Sequence, residues 1–152
     1  MALVTIGLFS CADSGKSKEQ KQPATKTENT MNNVVSIVEI PTADLGRAIR
    51  FYNAILNITI EEAEMGDVKM GVLPGEEGSV SVVLASGNDY IPTTSGSIVY
   101  LNGGNDLQPI LDRVGPNGGK VIVPKTQISP AMGYFALFID TEGNRLGLHS
   151  QN

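Results

Sequence analysis

The apolar residues that begin at Val34 change their spacing along the chain, which predicts a strand followed by a helix. The first run is rich in β-branched residues, as strands are, and it ends at Pro41. Beyond Thr42 and Asp44, either of which can cap a helix, apolar residues recur every three or four positions. This stripe consists of Leu45, Ala48, Ile49, Tyr52, Ile55 and Leu56. The helix should therefore lie on a sheet and turn its arginines towards solvent.

Strand and helix signals then repeat the same order in the second half of the chain. The first half continues with three strand candidates, at residues 58–62, 68–73 and 79–85. The second half has a strand, a helix and three strands, at residues 97–102, 107–114, 121–124, 134–139 and 145–149. Asp106 should cap the second helix, and Gly143 and Asn144 can take the positive φ of a tight hairpin. Two βαβββ modules, at about 34–90 and 96–151, should share a core or a cleft.

Composition limits the partners and sites of this domain. The 152-residue chain has a formal net charge of −5, and its basic residues form no single stripe, so we expect no nucleic-acid partner. One cysteine excludes an internal disulfide, and one histidine excludes any site that needs two imidazoles from one chain.

The first thirty residues predict a lipoprotein-type signal followed by a disordered tether. Residues 2–9 are apolar but fall far below the roughly 20 residues that span a bilayer. Leu8-Phe9-Ser10-Cys11 resembles the lipobox of bacterial lipoproteins, whose cysteine is acylated after export. Residues 12–30 hold no large apolar residue that could anchor a core. We expect lipidation of Cys11 at the cell envelope as the only membrane contact, or a cytoplasmic protein if translation starts at Met31.

Two motifs and the repeat between them resemble the vicinal-oxygen-chelate superfamily of glyoxalases, bleomycin-resistance proteins and extradiol dioxygenases. Residues 40–52, Ile-Pro-Thr-Ala-Asp-Leu-Gly-Arg-Ala-Ile-Arg-Phe-Tyr, are similar to its opening signature. Residues 140–144, Asp-Thr-Glu-Gly-Asn, are similar to its closing Asp-x-x-Gly-Asn turn. The resemblance covers residues 34–151 and implies an α+β domain over residues 31–152. In that fold, two βαβββ modules pair into a curved mixed sheet around a small-molecule cavity.

The resemblance also implies where a metal would bind. Many members hold a divalent metal through His and Glu side chains that point from the strands into the cavity. The corresponding positions here are Ile37, Val83, Gly147 and either Val99 or, if the strand register shifts by one, Ile98. Because none of these is a metal ligand, we expect no metal and no other cofactor. The alternative is a glyoxalase-type lyase, isomerase or dioxygenase with a degenerate divalent-metal site.

Strand alternation selects the side chains that should line the cavity. Glu39 and His149 are its polar candidates, either as an acid/base or hydrogen-bonding pair or as solvated residues at the rim. Tyr100 belongs to the set only in the shifted register. The predicted ligand-binding residues are Ile37, Glu39, Ser81, Val83, Tyr100, Gly147 and His149.

Three functions follow from this pattern. The favoured prediction is a domain that binds a small organic molecule between its modules without a standard metal site. The second is the metal-dependent enzyme, and the third is an assembly module with no ligand. Because family members often pair modules between chains, we also consider a homodimer.

Overall fold

The structure, a computed structural model that describes residues 33–152, contains the order strand, helix and three strands twice. The first module contains β1 (Ile37–Pro41), α1 (Leu45–Leu56), β2 (Glu61–Met65), β3 (Val68–Val72) and β4 (Ser81–Ser86). The second contains β5 (Tyr100–Asn102), α2 (Gln108–Val114), β6 (Lys120–Ser129), β7 (Gly133–Ile139) and β8 (Arg145–Ser150). The predicted α+β class with two βαβββ modules is confirmed.

Each module forms a four-stranded mixed sheet with the same strand order. The two orders are β1-β4-β3-β2 and β5-β8-β7-β6. In both sheets the first strand runs parallel to the last, and the other neighbours are antiparallel. Glu39 lies opposite Val83 in the first sheet, and Tyr100 lies opposite Gly147 in the second. These two pairs therefore occupy equivalent positions in the two modules.

Helix α1 begins and ends at residues suited to those positions. Asp44 is the N-cap, and its Oδ1 accepts a hydrogen bond of 2.9 Å from the Arg47 backbone N–H. Asn57 ends the helix with a φ of 55°, and its N–H donates to the Asn53 carbonyl. The residues buried on its inner face are Leu45, Ala48, Phe51, Tyr52 and Ile55. The predicted helix is thus present, with Phe51 added to its apolar stripe.

Helix α2 begins one residue later than predicted. Leu107, not Asp106, is the N-cap, because its carbonyl accepts the first hydrogen bonds of the helix, from the Ile110 and Leu111 N–H groups; its side chain makes no capping bond. Asp106 supports the same end of the helix, since its Oδ1 accepts from the Gln108 N–H at 2.9 Å. A hydrogen bond from Lys125 and the one from Gln108 hold the pKa of Asp106 below its ordinary value.

Several strands have other bounds than the apolar pattern predicts. β1 begins at Ile37 rather than Val34, β2 begins at Glu61 rather than residue 58, and β5 begins at Tyr100 rather than residue 97. β6 continues to Ser129. Strand length depends on which residues find a hydrogen-bonded neighbour, and a single chain segment does not contain that information.

The two modules share one hydrophobic core beneath the helices. Ile40 and Leu84 of the first sheet belong to the same buried cluster as Leu146 and Leu148 of the second. Phe51 of α1 joins them, with its ring centroid 6.2 Å from that of Phe138 in the second sheet. Burial of a side chain of this size contributes about 2 kcal/mol. The predicted sharing of a core by the two modules is therefore confirmed.

The turn between β7 and β8 fastens the second module to the first. The buried Asp140 accepts hydrogen bonds from the backbone N–H groups of residues 142–144 through Oδ1. Its Oδ2 accepts from the hydroxyl of Tyr52 at 2.8 Å. Asn144 donates to the Pro41 carbonyl at 2.8 Å. Gly143 takes the positive φ of the turn, 100°, whereas Asn144 does not and contributes side-chain hydrogen bonds instead.

Glu142 extends this connection to the start of α1. Its side chain is fully buried, and its Oε1 lies 2.8 Å from the Nε of Arg47. The side chain of Arg47 is exposed, as predicted. Its Oε2 also accepts from the backbone N–H groups of Ala43 and Asp44. Burial alone would raise the pKa of Glu142, but the hydrogen bonds from Arg47 and Asp44 outweigh it and hold the pKa below its ordinary value.

Replacing Glu142 by glutamine should lower the free energy of unfolding by about 2 kcal/mol at neutral pH. A depressed folded-state pKa contributes stability above the unfolded-state pKa, near 4.5, and that contribution is lost as the pH falls through the folded-state value. The wild-type protein should therefore approach the variant in strongly acidic solution. Urea unfolding across a pH series tests this, with the exposed Glu77→Gln as the control. Equal stability of Glu142→Gln and wild type at pH 7 would contradict it.

No helix within residues 33–152 is long and apolar enough to cross a membrane. The predicted signal and tether over residues 1–30, including lipidation at Cys11, lie outside the described residues.

Candidate functional site

The predicted cavity residues lie on the faces of the sheets that point away from the helices, here called the helix-free face. Ile40, Leu84, Leu101 and Leu148 pack into the core under the helices. Because successive strand residues point to opposite faces, their neighbours along each strand point the other way. The helix-free face thus carries Ile37, Glu39, Ser81 and Val83 on the first sheet and Tyr100, Gly147 and His149 on the second.

The structure decides the register that the sequence left open. Val99 packs against the core, as Val38 does in the first module. Tyr100 lies opposite Gly147, just as Glu39 lies opposite Val83. The counterpart of Ile37 is therefore Ile98 and not Val99, and Tyr100 belongs to the helix-free face.

A pocket of about 320 Å³ opens on the helix-free face of the second sheet, lined by Tyr100, Ile128, Met132, Phe135 and His149. The rings of Tyr100 and Phe135 meet edge to face with centroids 6.5 Å apart. His149 Nε2 lies 2.7 Å from the Met132 carbonyl oxygen. Since a carbonyl only accepts, Nε2 carries the proton, and Nδ1 is the ring nitrogen left for another partner.

Three residues of this pocket are absent from the predicted set. Phe135 lies opposite His149 on the neighbouring strand, so alternation along β7 could have identified it. Ile128 could not be found in this way, because the apolar pattern ends the strand at residue 124 and the register of β6 shifts several times. Met132 lies between β6 and β7, where its position depends on the conformation of the connecting turn.

The ring of Tyr100 covers Gly147, the position where the family resemblance implies a metal-binding Glu. A Cβ atom at Gly147 would lie 2.3 and 2.4 Å from two ring carbons of Tyr100. No side chain fits there unless the ring moves. Glycine at this position therefore gives Tyr100 its place in the pocket wall.

Glu39 and His149 do not form the predicted pair, because they lie on different sheets and have other partners. Glu39 Oε2 accepts from the Tyr90 hydroxyl at 3.1 Å. This hydrogen bond raises the pKa of Tyr90. His149 is bound to the Met132 carbonyl instead, and within residues 33–152 no hydrogen bond joins Glu39 to His149.

Two of the other cavities differ from this pocket in size and lining. One, of about 90 Å³, lies between the modules and is lined by Glu39 and by Arg145, which alternation along β8 places on the same face as Gly147. The other is a groove of about 640 Å³ on the helix side, lined by core-facing residues such as Val82 and Leu101. It contains none of the predicted site residues, and its size alone does not make it the site.

The donor set does not fit the divalent-metal site that the family resemblance implies. The positions in question hold Ile37, Val83, Ile98 and Gly147, whose side chains offer no ligand atom. Within the described part of the chain, no group of three or more His, Cys, Asp or Glu side chains is arranged to hold a metal ion.

Comparison with known proteins agrees with this fold. The family model described as Glyoxalase/Bleomycin resistance protein/Dioxygenase superfamily matches residues 33–148. A glyoxylase-like domain-containing protein of Didymella fabae is 32% identical over a 119-residue alignment, and the match covers 72% of this chain and 88% of that protein.

Solved structures share the fold at low identity. Glyoxalase I of Leishmania major has a TM-score of 0.59 at 13% identity and covers 78% of this chain and 87% of its own. The fosfomycin resistance protein FosX of Listeria monocytogenes has a TM-score of 0.57 at 15% identity, with 80% and 92% covered. A glyoxalase I mutant of Zea mays has a TM-score of 0.59 at 19% identity, and this chain, 76% of it covered, spans only 45% of the maize protein. The chain belongs to the glyoxalase/bleomycin resistance protein/dioxygenase superfamily.

Proposed function

We propose that this domain binds a small, largely apolar organic molecule in the pocket at His149, without a divalent metal. The observation that carries the proposal is the composition of the pocket wall. Two aromatic rings, an isoleucine and a methionine surround a volume of about 320 Å³. Ligand sites of proteins are typically such apolar concavities with a few polar groups that orient the ligand.

His149 is the polar group that would orient the ligand. Its Nε2 is engaged by the Met132 carbonyl, which holds the ring in one orientation. Nδ1 can then accept a hydrogen bond from a ligand hydroxyl or amide. The phenol ring of Tyr100, which is 46% exposed, is positioned to pack against an aromatic or aliphatic ligand.

The absence of ligand atoms at the positions of Ile37, Val83, Ile98 and Gly147 supports binding without a metal. With only Glu39 and His149 as polar candidates, on separate sheets, a metal would have too few protein ligands for tight binding. A lipid anchor at Cys11 and a homodimer remain predictions from the sequence.

Replacing Ile128 by alanine should weaken binding of a neutral aromatic probe about ten-fold, because the pocket loses apolar contact area. The probe is 2-naphthol, titrated into the ¹⁵N-labelled full chain, with shifts expected at the amides of Met132, Phe135 and His149. Ile91→Ala is the matched control, since Ile91 is also exposed but does not line this pocket. Equal affinities of the two variants, or shifts elsewhere, would argue against the pocket.

Elemental analysis of the full chain, purified without chelator or His-tag, tests the alternative enzyme. We expect less than about a tenth of an equivalent of zinc, manganese, iron or nickel per chain, because a site with fewer than three protein ligands binds these metals weakly. Stoichiometric metal that is lost in His149→Ala would instead support a glyoxalase-type enzyme with a degenerate metal site.

A further inference from the structure

Arg145, at the start of β8, is a partly buried cation. It lies on the helix-free face, two positions before Gly147, and its buried Nε has no hydrogen-bond partner among residues 33–152. The salt bridges among residues 33–152 do not include it. A guanidinium offers five N–H donors, and a donor withdrawn from water without an acceptor costs free energy. No described residue therefore supplies a hydrogen-bond acceptor to the Nε of Arg145.

The cavity beside Arg145 has the groups that would bind an anion. Its volume is about 90 Å³, and the segment before β5 lines it with Thr93, Ser95 and Ser97. The backbone N–H of Arg145 donates to the Thr93 carbonyl at 3.3 Å, which keeps this segment next to the arginine. Each hydroxyl group can donate one hydrogen bond. One cation and three hydroxyl donors thus line the same small volume.

Glu39 lines this cavity too, but it does not neutralise Arg145. Its Oε2 accepts from the Tyr90 hydroxyl, and it forms no salt bridge with Arg145 in the part of the chain that the structure describes. The Tyr90 contact engages the one carboxylate among the residues that line this cavity. An anion from solution would therefore meet an unpaired guanidinium.

We infer that this cavity between the modules binds the carboxylate group of a small organic acid. Arg145 is its main anchor, because a guanidinium can donate two parallel hydrogen bonds to a carboxylate through its terminal nitrogens. The hydroxyls of Thr93, Ser95 and Ser97 complete the site. A volume of about 90 Å³ suits an acid with a short carbon chain.

This site is separate from the pocket at His149. Arg145 and His149 lie four positions apart on β8, which corresponds to about 13 Å along a strand. A small acid cannot contact both residues. The inference therefore goes beyond the proposed function and does not depend on it.

Titration of the ¹⁵N-labelled full chain with sodium acetate, at constant ionic strength and without other carboxylates, tests the inference. We expect saturable shifts at the amides of Ser95, Ser97 and Arg145. Arg145→Met should weaken acetate binding at least ten-fold, and Arg145→Lys should weaken it less, because lysine keeps the charge but loses the planar donors. Arg50→Met, which removes an exposed arginine of α1, should leave the affinity unchanged.

A second variant keeps the test decisive if Arg145→Met fails to fold. Ser97→Asp changes an exposed residue and brings a negative charge to the cavity, so it should abolish acetate binding. Unchanged acetate affinity in either variant, or shifts centred on another basic residue such as Lys125, would overturn the inference. Titration with 2-naphthol reads the His149 pocket independently, so the failure of one site is distinguishable from the failure of the other.

Discussion

Replacing Asp140 by alanine is expected to lower the free energy of unfolding by about 4 kcal/mol, the largest loss that we predict for a single substitution. The residue is 4% exposed and its carboxylate accepts five hydrogen bonds. Three come from the backbone of residues 142–144, at 2.8 to 2.9 Å. The others come from Tyr52 and the Asn144 side chain. Alanine would leave all five donors without this acceptor, and several of them are buried.

The partner that tests this interpretation is Tyr52. Its ring is fully buried, and burial, followed by the negative charge of Asp140, raises its pKa well above the ordinary value. Tyr52→Phe removes one of the five hydrogen bonds and should cost about 1.5 kcal/mol. In the Asp140→Ala background the same change should cost little or be stabilising, because it removes a hydroxyl that already lacks its partner.

Urea unfolding of the two single variants and the double variant measures this coupling. Asp67→Ala, in the exposed turn between β2 and β3, is the control and should change stability by less than about 0.5 kcal/mol. A loss below about 1.5 kcal/mol for Asp140→Ala would contradict the assigned role. So would an equal cost of Tyr52→Phe in both backgrounds.

The elements with a local signal were the ones that the sequence predicted well. Helix α1 combines a capping Asp44 with an apolar stripe of constant spacing, and both are properties of one segment. The Asp140 turn was recognised for a similar reason, since Gly143 tolerates the positive φ that the hairpin needs. Alternation along β1 and β8 was enough to place Glu39 and His149 on the helix-free face.

The candidate site was predicted less completely, because it depends on relations between segments. β6 contributes Ile128 only because it continues past residue 124 with irregular register, which no local pattern contains. The separation of Glu39 from His149 follows from their positions on two sheets, and the contact of Glu39 with Tyr90 follows from the path of the connecting segment. Arg145, by contrast, could have been predicted from the sequence, because the alternation that places Gly147 on the helix-free face also places Arg145 there.

Replacing Gly147 by alanine should displace the ring of Tyr100 that forms one wall of the pocket at His149. The added Cβ would lie 2.3 Å from the nearest ring carbon of Tyr100, and no backbone strain contributes, because Gly147 is not among the glycines with positive φ. The ring must swing towards solvent, which 46% exposure of Tyr100 permits. It then loses its edge-to-face contact with Phe135. We expect a stability loss of about 2 kcal/mol from this overpacking and at least ten-fold weaker binding of 2-naphthol.

The double variant distinguishes displacement of the ring from general damage to β8. In a Tyr100→Ala background the three atoms nearest to the added methyl group are removed, so Gly147→Ala should then cost less than about 0.5 kcal/mol. Gly115→Ala is the matched control, because a Cβ at Gly115 meets no atom within 4 Å and its φ is −61°. Chemical denaturation gives the stabilities, and the naphthol titration gives the affinities. If Gly147→Ala were equally costly with and without Tyr100, the ring would not be what requires glycine at this position, and Tyr100 would lose its role as the wall of the pocket.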